Sequence, residues 1–382
     1  MSRLIGVGSV VGVAAALLCS CGDNRAPVPT YTWQLPSGFP EPFVPVDNPM
    51  SAAKVELGRF LFFDPRLSFN ATTACATCHL AERAFADDKI VARGATGVAL
   101  ARNSPSLQNV AYHSTYTWAS PVLVSLEQQI RVPMFGDDPV EMGMHLDATG
   151  VKNRLRDDAI YAQLFADAFP EIPVADQVSE DRIVYALASF MRSMISGGSA
   201  LDQYQYGGNE AALSEAGKRG MALFNSERLE CYHCHAGLNQ TNAFRAKETP
   251  SVVIAFENDG LYNIGNVGKY PANNPGLFAF TGDARDEGSF RVPSLRNVMV
   301  TPPYMHDGSI ATIDEVLDMY QRGGRLITEG PFAGDGAMNR NKSIFVRGFQ
   351  LSASERDDLK AFLAAMTDDS YRIDPRFANP FK

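Results

Sequence analysis

Two short stretches of the chain repeat one pattern: two cysteines separated by two residues, with histidine directly after. They are Cys75-Ala76-Thr77-Cys78-His79 and Cys231-Tyr232-His233-Cys234-His235. A lone Cys-x-x-Cys fits a redox disulfide or half of a zinc site. Two copies, each with the adjoining His, fit covalent haem attachment instead. The thiols add to the haem vinyl groups, and the imidazole turns onto the iron. Cys75, Cys78, Cys231 and Cys234 are then thioether residues, and His79 and His235 are proximal ligands. The sixth position on each iron decides what that iron does. An open one binds peroxide, and a filled one mainly passes electrons. No His occurs between His79 and His113, and residues 80–110 offer no obvious substitute. The first iron is therefore expected to be open. His113 is the alternative ligand, although a hydrogen-bonded His is the commoner fate.

The elements that must position these groups are themselves repeated. Val55 to Phe62 precedes the first motif, and Ala216 to Phe224 precedes the second. Pro105-Ser106-Leu107-Gln108-Asn109-Val110 is echoed by Pro293-Ser294-Leu295-Arg296-Asn297-Val298. Each half closes on an amphipathic pattern, Val184 to Ile195 and Leu359 to Met366. Self-similarity with one motif per copy predicts a mostly α protein of two cytochrome c-like domains, residues 50–205 and 206–382, with long ordered loops. Helices are expected from Ser51 to Phe62, Val151 to Phe169, Ser179 to Ile195, Ser214 to Phe224, Ile313 to Tyr320 and Ser354 to Met366. Ser179 with Glu180-Asp181, and Ser354 with Glu355, read as helix starts. Gly197-Gly198 and Gly207-Gly208 bracket the junction. Residues 262–288, rich in Gly, Asn and Pro, read as a long ordered loop, and strand alternation is scarce.

The whole chain has 382 residues, enough for two domains with cores that need no disulfides. Lys plus Arg is 34 and Asp plus Glu is 43, a net charge of −9 with no basic stripe. Nucleic acid is therefore not an expected partner. Met1-Ser2-Arg3, the apolar run from Leu4 to Leu18 and Cys19-Ser20-Cys21-Gly22 form the parts of a secretory signal. Leu18-Cys19-Ser20-Cys21 also resembles a lipoprotein box, which makes Cys21 the anchored residue of a periplasmic protein; ordinary signal cleavage is the alternative. An acyl anchor holds a protein on a membrane face without spanning it. Residues 22–49, rich in Pro, read as an extended tether.

Over essentially its whole mature length the chain resembles the bacterial di-haem cytochrome c peroxidase superfamily. Within it, the chain is most similar to MauG and to the MbnH-type enzymes found beside methanobactin genes. The two Cys-x-x-Cys-His motifs carry the resemblance, with Arg102-Asn103-Ser104-Pro105-Ser106-Leu107, Leu126-Glu127-Gln128-Gln129, Pro139-Val140-Glu141-Met142-Gly143 and Pro303-Tyr304-Met305-His306-Asp307-Gly308. Tyr31 to Pro36 and Asn48 to Lys54 resemble the MbnH branch. The resemblance implies that Glu141 is the catalytic carboxyl and Gln129 its distal companion. A carboxyl with a raised pKa can take a proton from the near peroxide oxygen and give one to the far oxygen. The resemblance also implies that Trp118 relays a hole between the haems. The resemblance implies a sixth ligand of the second haem at a fixed distance after the His-Asp-Gly motif, which counted from His306 falls on Tyr320, with Met319 as the rival. Neighbours on a helix point about 100° apart, so only one can face the iron. A thioether raises the potential, whereas a phenolate favours high-valent iron. A calcium ion between the domains is implied, with Asn103, Thr301 and Pro303 as ligands, the last two through their carbonyls. His306 is expected to bond a haem propionate or backbone. The segments from Trp118 to Gln129 and from Gln129 to Glu141 are longer than the usual pattern, so the pocket shape is expected to differ.

Three functions are in competition. The first is an exported oxidoreductase that uses hydrogen peroxide to form high-valent haem iron and oxidises a residue of a partner protein at long range. The resemblance makes that residue a Trp, converted to kynurenine, on an MbnP-like partner. The second is a cytochrome c peroxidase that reduces hydrogen peroxide with electrons from a small redox protein. The third is a di-haem electron carrier, which needs no open iron, distal Glu or distal Gln. The resemblance implies that classical members close the first iron with a distal His shortly after the first motif; its absence here, with Tyr320, favours the first.

Overall fold

The computed structural model describes residues 31–382. The expected signal, the lipoprotein box and the beginning of the Pro-rich segment lie outside the described residues. Among those described, the helices are α1 (Ala52–Phe63), α2 (Leu126–Phe135), α3 (Ala148–Arg156), α4 (Ala159–Ala168), α5 (Glu180–Ser193), α6 (Ala200–Gln205), α7 (Glu215–Phe224), α8 (Phe278–Thr281), α9 (Ile313–Arg322), α10 (Ala353–Ala364) and α11 (Asp369–Arg372). Short strands pair antiparallel: β1 (Phe256–Glu257) with β2 (Phe290–Arg291), and β3 (Leu326–Ile327) with β4 (Gly334–Asp335). No described helix is long and apolar enough to cross a membrane.

Local chemistry explains most helix boundaries. Ser51, Ser179 and Ser214 each accept a bond from a backbone N–H three residues on, and so start α1, α5 and α7. The expected start at Ser354 moves to Ser352, which makes a reciprocal capping box with Glu355. The single helix expected from Val151 to Phe169 is two helices. Asp158 is extended and caps α4 through Ile160 N and Tyr161 N, which ends the run. Sequence periodicity missed α2, which carries Pro133 in its interior, and the short α6.

The duplication is visible in the packing. Helix α1 crosses α5 at Gly58, and α7 crosses α10 at Gly220. A Cβ there would sit 2.0 Å from the Ala186 carbonyl oxygen and 1.9 Å from that of Asp358, so only glycine allows either approach. Each echoed Pro-Ser-Leu segment ends on a buried left-handed Asn, Asn109 or Asn297. Their N–H groups bond Met194 O at 2.9 Å and Met366 O at 3.1 Å, just beyond α5 and α10.

Each helix pair has its own core. Phe62, Phe85, Leu187 and Phe190 belong to the first, and Leu213, Phe224, Leu359 and Phe362 to the second. Burying each such side chain contributes ~1.5–3 kcal/mol. The cores do not follow the expected limits of 50–205 and 206–382. Leu201 of α6 packs in the second core, which places the changeover near Gly197-Gly198. Tyr371 and Phe377, near the C-terminus, return to the first core. Asp368 fastens that return by accepting bonds from Ser196 Oγ, Gly197 N and Gly198 N at 2.8–3.0 Å. The described part of the Pro-rich segment is packed rather than a free tether. Phe39 is buried edge-on to Tyr112, and the Asn48 amide donates to Glu127 Oε1 at 2.8 Å.

Candidate active site

The second Cys-x-x-Cys-His motif opens onto a cavity of ≈ 470 Å³ lined by Cys231, Cys234 and His235. His235 Nδ1 lies 3.3 Å from Gln240 O. Donation to that carbonyl leaves Nε2 as the free ligand atom. Burial pulls the His235 pKa down to about 4, so the ring is neutral at pH 7. Helix α9 presents Ile313, Val316, Leu317 and Tyr320 to the same cavity, the stripe of one helix face. Met319 points elsewhere, buried among Leu261, Tyr270 and Phe290. Burial, followed by the Asp259 charge, drives the Tyr320 phenol well above its ordinary pKa.

Trp118, Asn103, Thr301, Pro303 and His306 share that cavity. Trp118 is buried, and its Nε1–H donates to Asn103 O at 2.7 Å. The Asn103 N–H donates to His306 O at 2.9 Å, and its Nδ2 donates to Lys89 O and Ile90 O. That leaves Oδ1 as the acceptor of its side chain. The Thr301 hydroxyl donates to Val298 O, so its carbonyl is the oxygen to offer. An amide oxygen with backbone carbonyls is a hard donor set that fits Ca²⁺. The His306 ring stacks on Phe290 with centroids 3.6 Å apart, and its buried Nε2 has no partner among the described residues.

The first motif repeats the ligand geometry. Cys75 begins a single 3-10 turn, and His79 Nδ1 lies 2.8 Å from Phe85 O. Burial pushes the Cys75 and Cys78 thiols up, and the Glu141 charge adds to both, so that carboxyl is within electrostatic reach of the motif. Burial pushes Glu141 itself up to about 7. Its backbone is clamped on several sides. Ala95 N donates to Glu141 O at 2.6 Å, and Met142 is bonded to Pro133 O and Phe69 N. At Gly94 a Cβ would meet Val140 O at 1.9 Å. Gln129 stands on α2 with its Oε1 buried and without a partner among the described residues. Its neighbour Glu127 is committed elsewhere, to Arg192 at 2.7 Å and Asn48. His113 lies in a separate cavity of ≈ 10 Å³ with Phe43, Tyr116, Arg192 and Arg245.

A sequence profile described as "Di-haem cytochrome c peroxidase" matches residues 52–211. The chain is 32% identical to cytochrome-c peroxidase IdrP1 of Pseudomonas sp. strain SCT, over 96% of this chain and 92% of that protein. It is also 32% identical to methylamine utilization protein MauG of Methylorubrum extorquens, over 84% of this chain and 80% of that one. A crystal structure of a MauG-like protein associated with microbial copper homeostasis superposes with a TM-score of 0.89 at 46% identity. That match covers 92% of this chain and all of that one. The chain belongs to the di-haem cytochrome c peroxidase and MauG family. It is thus an oxidoreductase of the peroxidase superfamily, in a family whose members use two haems.

The residues of this family member fit such groups. The second cavity has the thiols and imidazole on its wall, and at the first motif the Glu141 carboxyl is close enough for its charge to act on both thiols. Sequence reasoning missed two residues of the second cavity. Arg291 is buried, its Nε donates to Thr117 O at 2.8 Å, and its N–H donates to Trp118 O at 2.7 Å. Burial lowers its pKa to about 10. The repeat carried a signal for it, because Arg291 precedes Val292-Pro293-Ser294-Leu295 as Asn103 precedes Ser104-Pro105-Ser106-Leu107. Asp259, which burial pushes up to about 6, had no such signal.

Proposed function

We propose that the chain is an exported, periplasmic oxidoreductase that uses hydrogen peroxide to oxidise a residue, a tryptophan, of a partner protein at long range. Cys75, Cys78 and His79 hold one covalent haem c, and Cys231, Cys234 and His235 hold the other. Tyr320 fills the sixth position of the second. Asn103, Thr301 and Pro303 hold a calcium ion between the halves. When bound, the haems supply peroxide binding and the oxidising equivalents. The protein supplies proton handling and a route for electrons. Glu141, with a pKa of about 7, is part ionised near neutrality. It can accept the proton of the near peroxide oxygen and return it to the far one. Gln129, whose buried Oε1 has no partner among the described residues, acts as the distal companion of Glu141. Trp118 gives an indole face between the halves, held at Nε1 by Asn103 O.

The observation that carries this reading is the phase of α9, which turns the Tyr320 phenol rather than the Met319 thioether into the cavity of His235. A partner from copper handling, an MbnP-like protein, is supported by what is said of the similar structure, that it is associated with microbial copper homeostasis. The IdrP1 likeness supports a second reading, peroxide reduction fed by a small redox protein. One equivalent of hydrogen peroxide added to fully ferric, reductant-free protein separates the two. Prompt visible and near-infrared changes at both haems are expected. No reaction until one haem is reduced selects the second reading.

A further inference from the structure

The segment that carries the second haem motif holds three ligand-type side chains outside the Cys-x-x-Cys-His set: Glu227, Glu230 and His233. We propose that they bind one divalent transition-metal ion of the zinc or copper(II) class at the surface beside the second haem. One ligand atom from each lies within 4.8 Å of the others. The Glu230 side chain is only 4% exposed, and its Oε2 sits 2.6 Å from His233 Nε2. Yet that oxygen makes no directed hydrogen bond and has no other partner. An imidazole nitrogen and a carboxylate oxygen, both ligand atoms, thus converge at the site.

Each ligand is braced from behind. The Tyr232 hydroxyl donates to Glu227 Oε1 at 2.5 Å. The Arg347 guanidinium holds Glu230 Oε1. The His233 ring stacks on Phe345 at 3.9 Å and 17°, with the Tyr232 ring 4.1 Å away. Groups that orient ligands in this way are what separates a metal site from a chance cluster. Glu230 also holds a left-handed backbone, φ 60°, which a non-glycine residue adopts only when its surroundings impose it. One imidazole and two carboxylates suit Zn²⁺ or Cu²⁺, whereas Ca²⁺ and Mg²⁺ favour oxygen alone. Two carboxylates against one Arg347 leave the site negative before an ion enters. Glu227 is exposed, which gives entry from solvent. Glu227 and Glu230 themselves line the haem cavity, with Phe345 and Arg347, so the ion would add positive charge beside that haem and raise its potential. The site does not depend on which partner the enzyme oxidises.

The test uses ferric protein carrying both haems, titrated with Cu²⁺ and read by electron paramagnetic resonance and metal content after gel filtration. One Cu²⁺ per chain is expected, with hyperfine structure from a single imidazole nitrogen, and Zn²⁺ displaces it. His233→Ala and Glu227→Gln should each weaken binding at least thirtyfold, and His145→Ala, at an exposed His elsewhere, should leave it unchanged. Glu227→Gln carries the test if His233→Ala fails to load haem, because its side chain is at the surface. Copper bound as tightly by Glu227→Gln as by the parent overturns the proposal. So does a spectrum without nitrogen coupling, or displacement by Ca²⁺ as readily as by Zn²⁺.

Discussion

Replacing Glu141 with Gln separates what the carboxyl does for the reaction from what it does to the fold. Burial pushes its pKa from an ordinary 4.5 to about 7. Between those values the folded chain keeps a proton that the unfolded chain has released. The contribution of this group to stability is therefore greatest below about pH 4.5 and is lost as pH rises through about 7. At ~1.4 kcal/mol per pH unit, holding the charged carboxylate costs the fold about 3 kcal/mol by pH 8.5. Glutamine has nearly the same shape and no charge. In chemical denaturation the Glu141→Gln variant should match the parent near pH 4.5 and exceed it by about 2–3 kcal/mol at pH 8.5. Stopped-flow mixing of ferric protein with hydrogen peroxide should show the opposite effect on activity. The parent rate rises with pH through about 7 as the base forms, and the variant loses about 10²–10⁴ of it. Equal stability of the two proteins at pH 8.5 would mean that the carboxyl is not desolvated. A variant reacting within about threefold of the parent at every pH would remove Glu141 from proton transfer.

Tyr320→Phe should change the ferric spectrum of the second haem and let cyanide bind there, while Met319→Leu leaves both unchanged, because only Tyr320 lines the cavity. Trp118→Phe should leave the first peroxide step within about threefold but slow the appearance of oxidation at the second haem at least about tenfold; rapid-scan spectra check both. The lost Nε1–H bond to Asn103 O costs about 1 kcal/mol besides. Gly94→Ala should lower stability by about 1–3 kcal/mol, because its Cβ meets the Val140 carbonyl. It should also slow the peroxide step at unchanged haem content, since the Glu141 loop must shift.

The parts of this structure legible in the sequence are those set by local chemistry. Ser51, Ser179 and Ser214 cap the helices they precede, and both Cys-x-x-Cys-His turns put the imidazole Nδ1 near a backbone carbonyl. What escaped depends on distant partners. Phe39 in a Pro-rich segment reads as linker until Tyr112 is there to cover it. Tyr371 and Phe377 read as the end of the second half, yet the first core buries them. Helix α2 was hidden by Pro133, which removes a helical N–H, although Ser125 caps its start. Asp259 is an ordinary loop acid until the surrounding fold buries it beside Tyr320.

The proposed choice of Tyr320 over Met319 turns on helix phase, which a residue count alone leaves open. Counting from His306 tolerates an error of one residue, and on a helix that error turns the side chain through about 100°. The ends of α9 remove the ambiguity. Thr312 and Glu315 form a capping box that fixes the first turn. Gly323, left-handed at φ 81°, ends the helix, its N–H donating to Tyr320 O. With both ends fixed, the apolar stripe Ile313, Val316, Leu317 runs on to Tyr320 and faces the cavity. Met319 falls on the next face and belongs to the buried cluster that includes Leu261 and Tyr270. Exchanging the two residues would preserve composition and hydrophobicity while placing a thioether on the face of α9 that lines the cavity. Under the proposed assignment the redox character of the second haem would rest on helix phase, and the Thr-x-x-Glu box and Gly323 that bound α9 are written in the sequence.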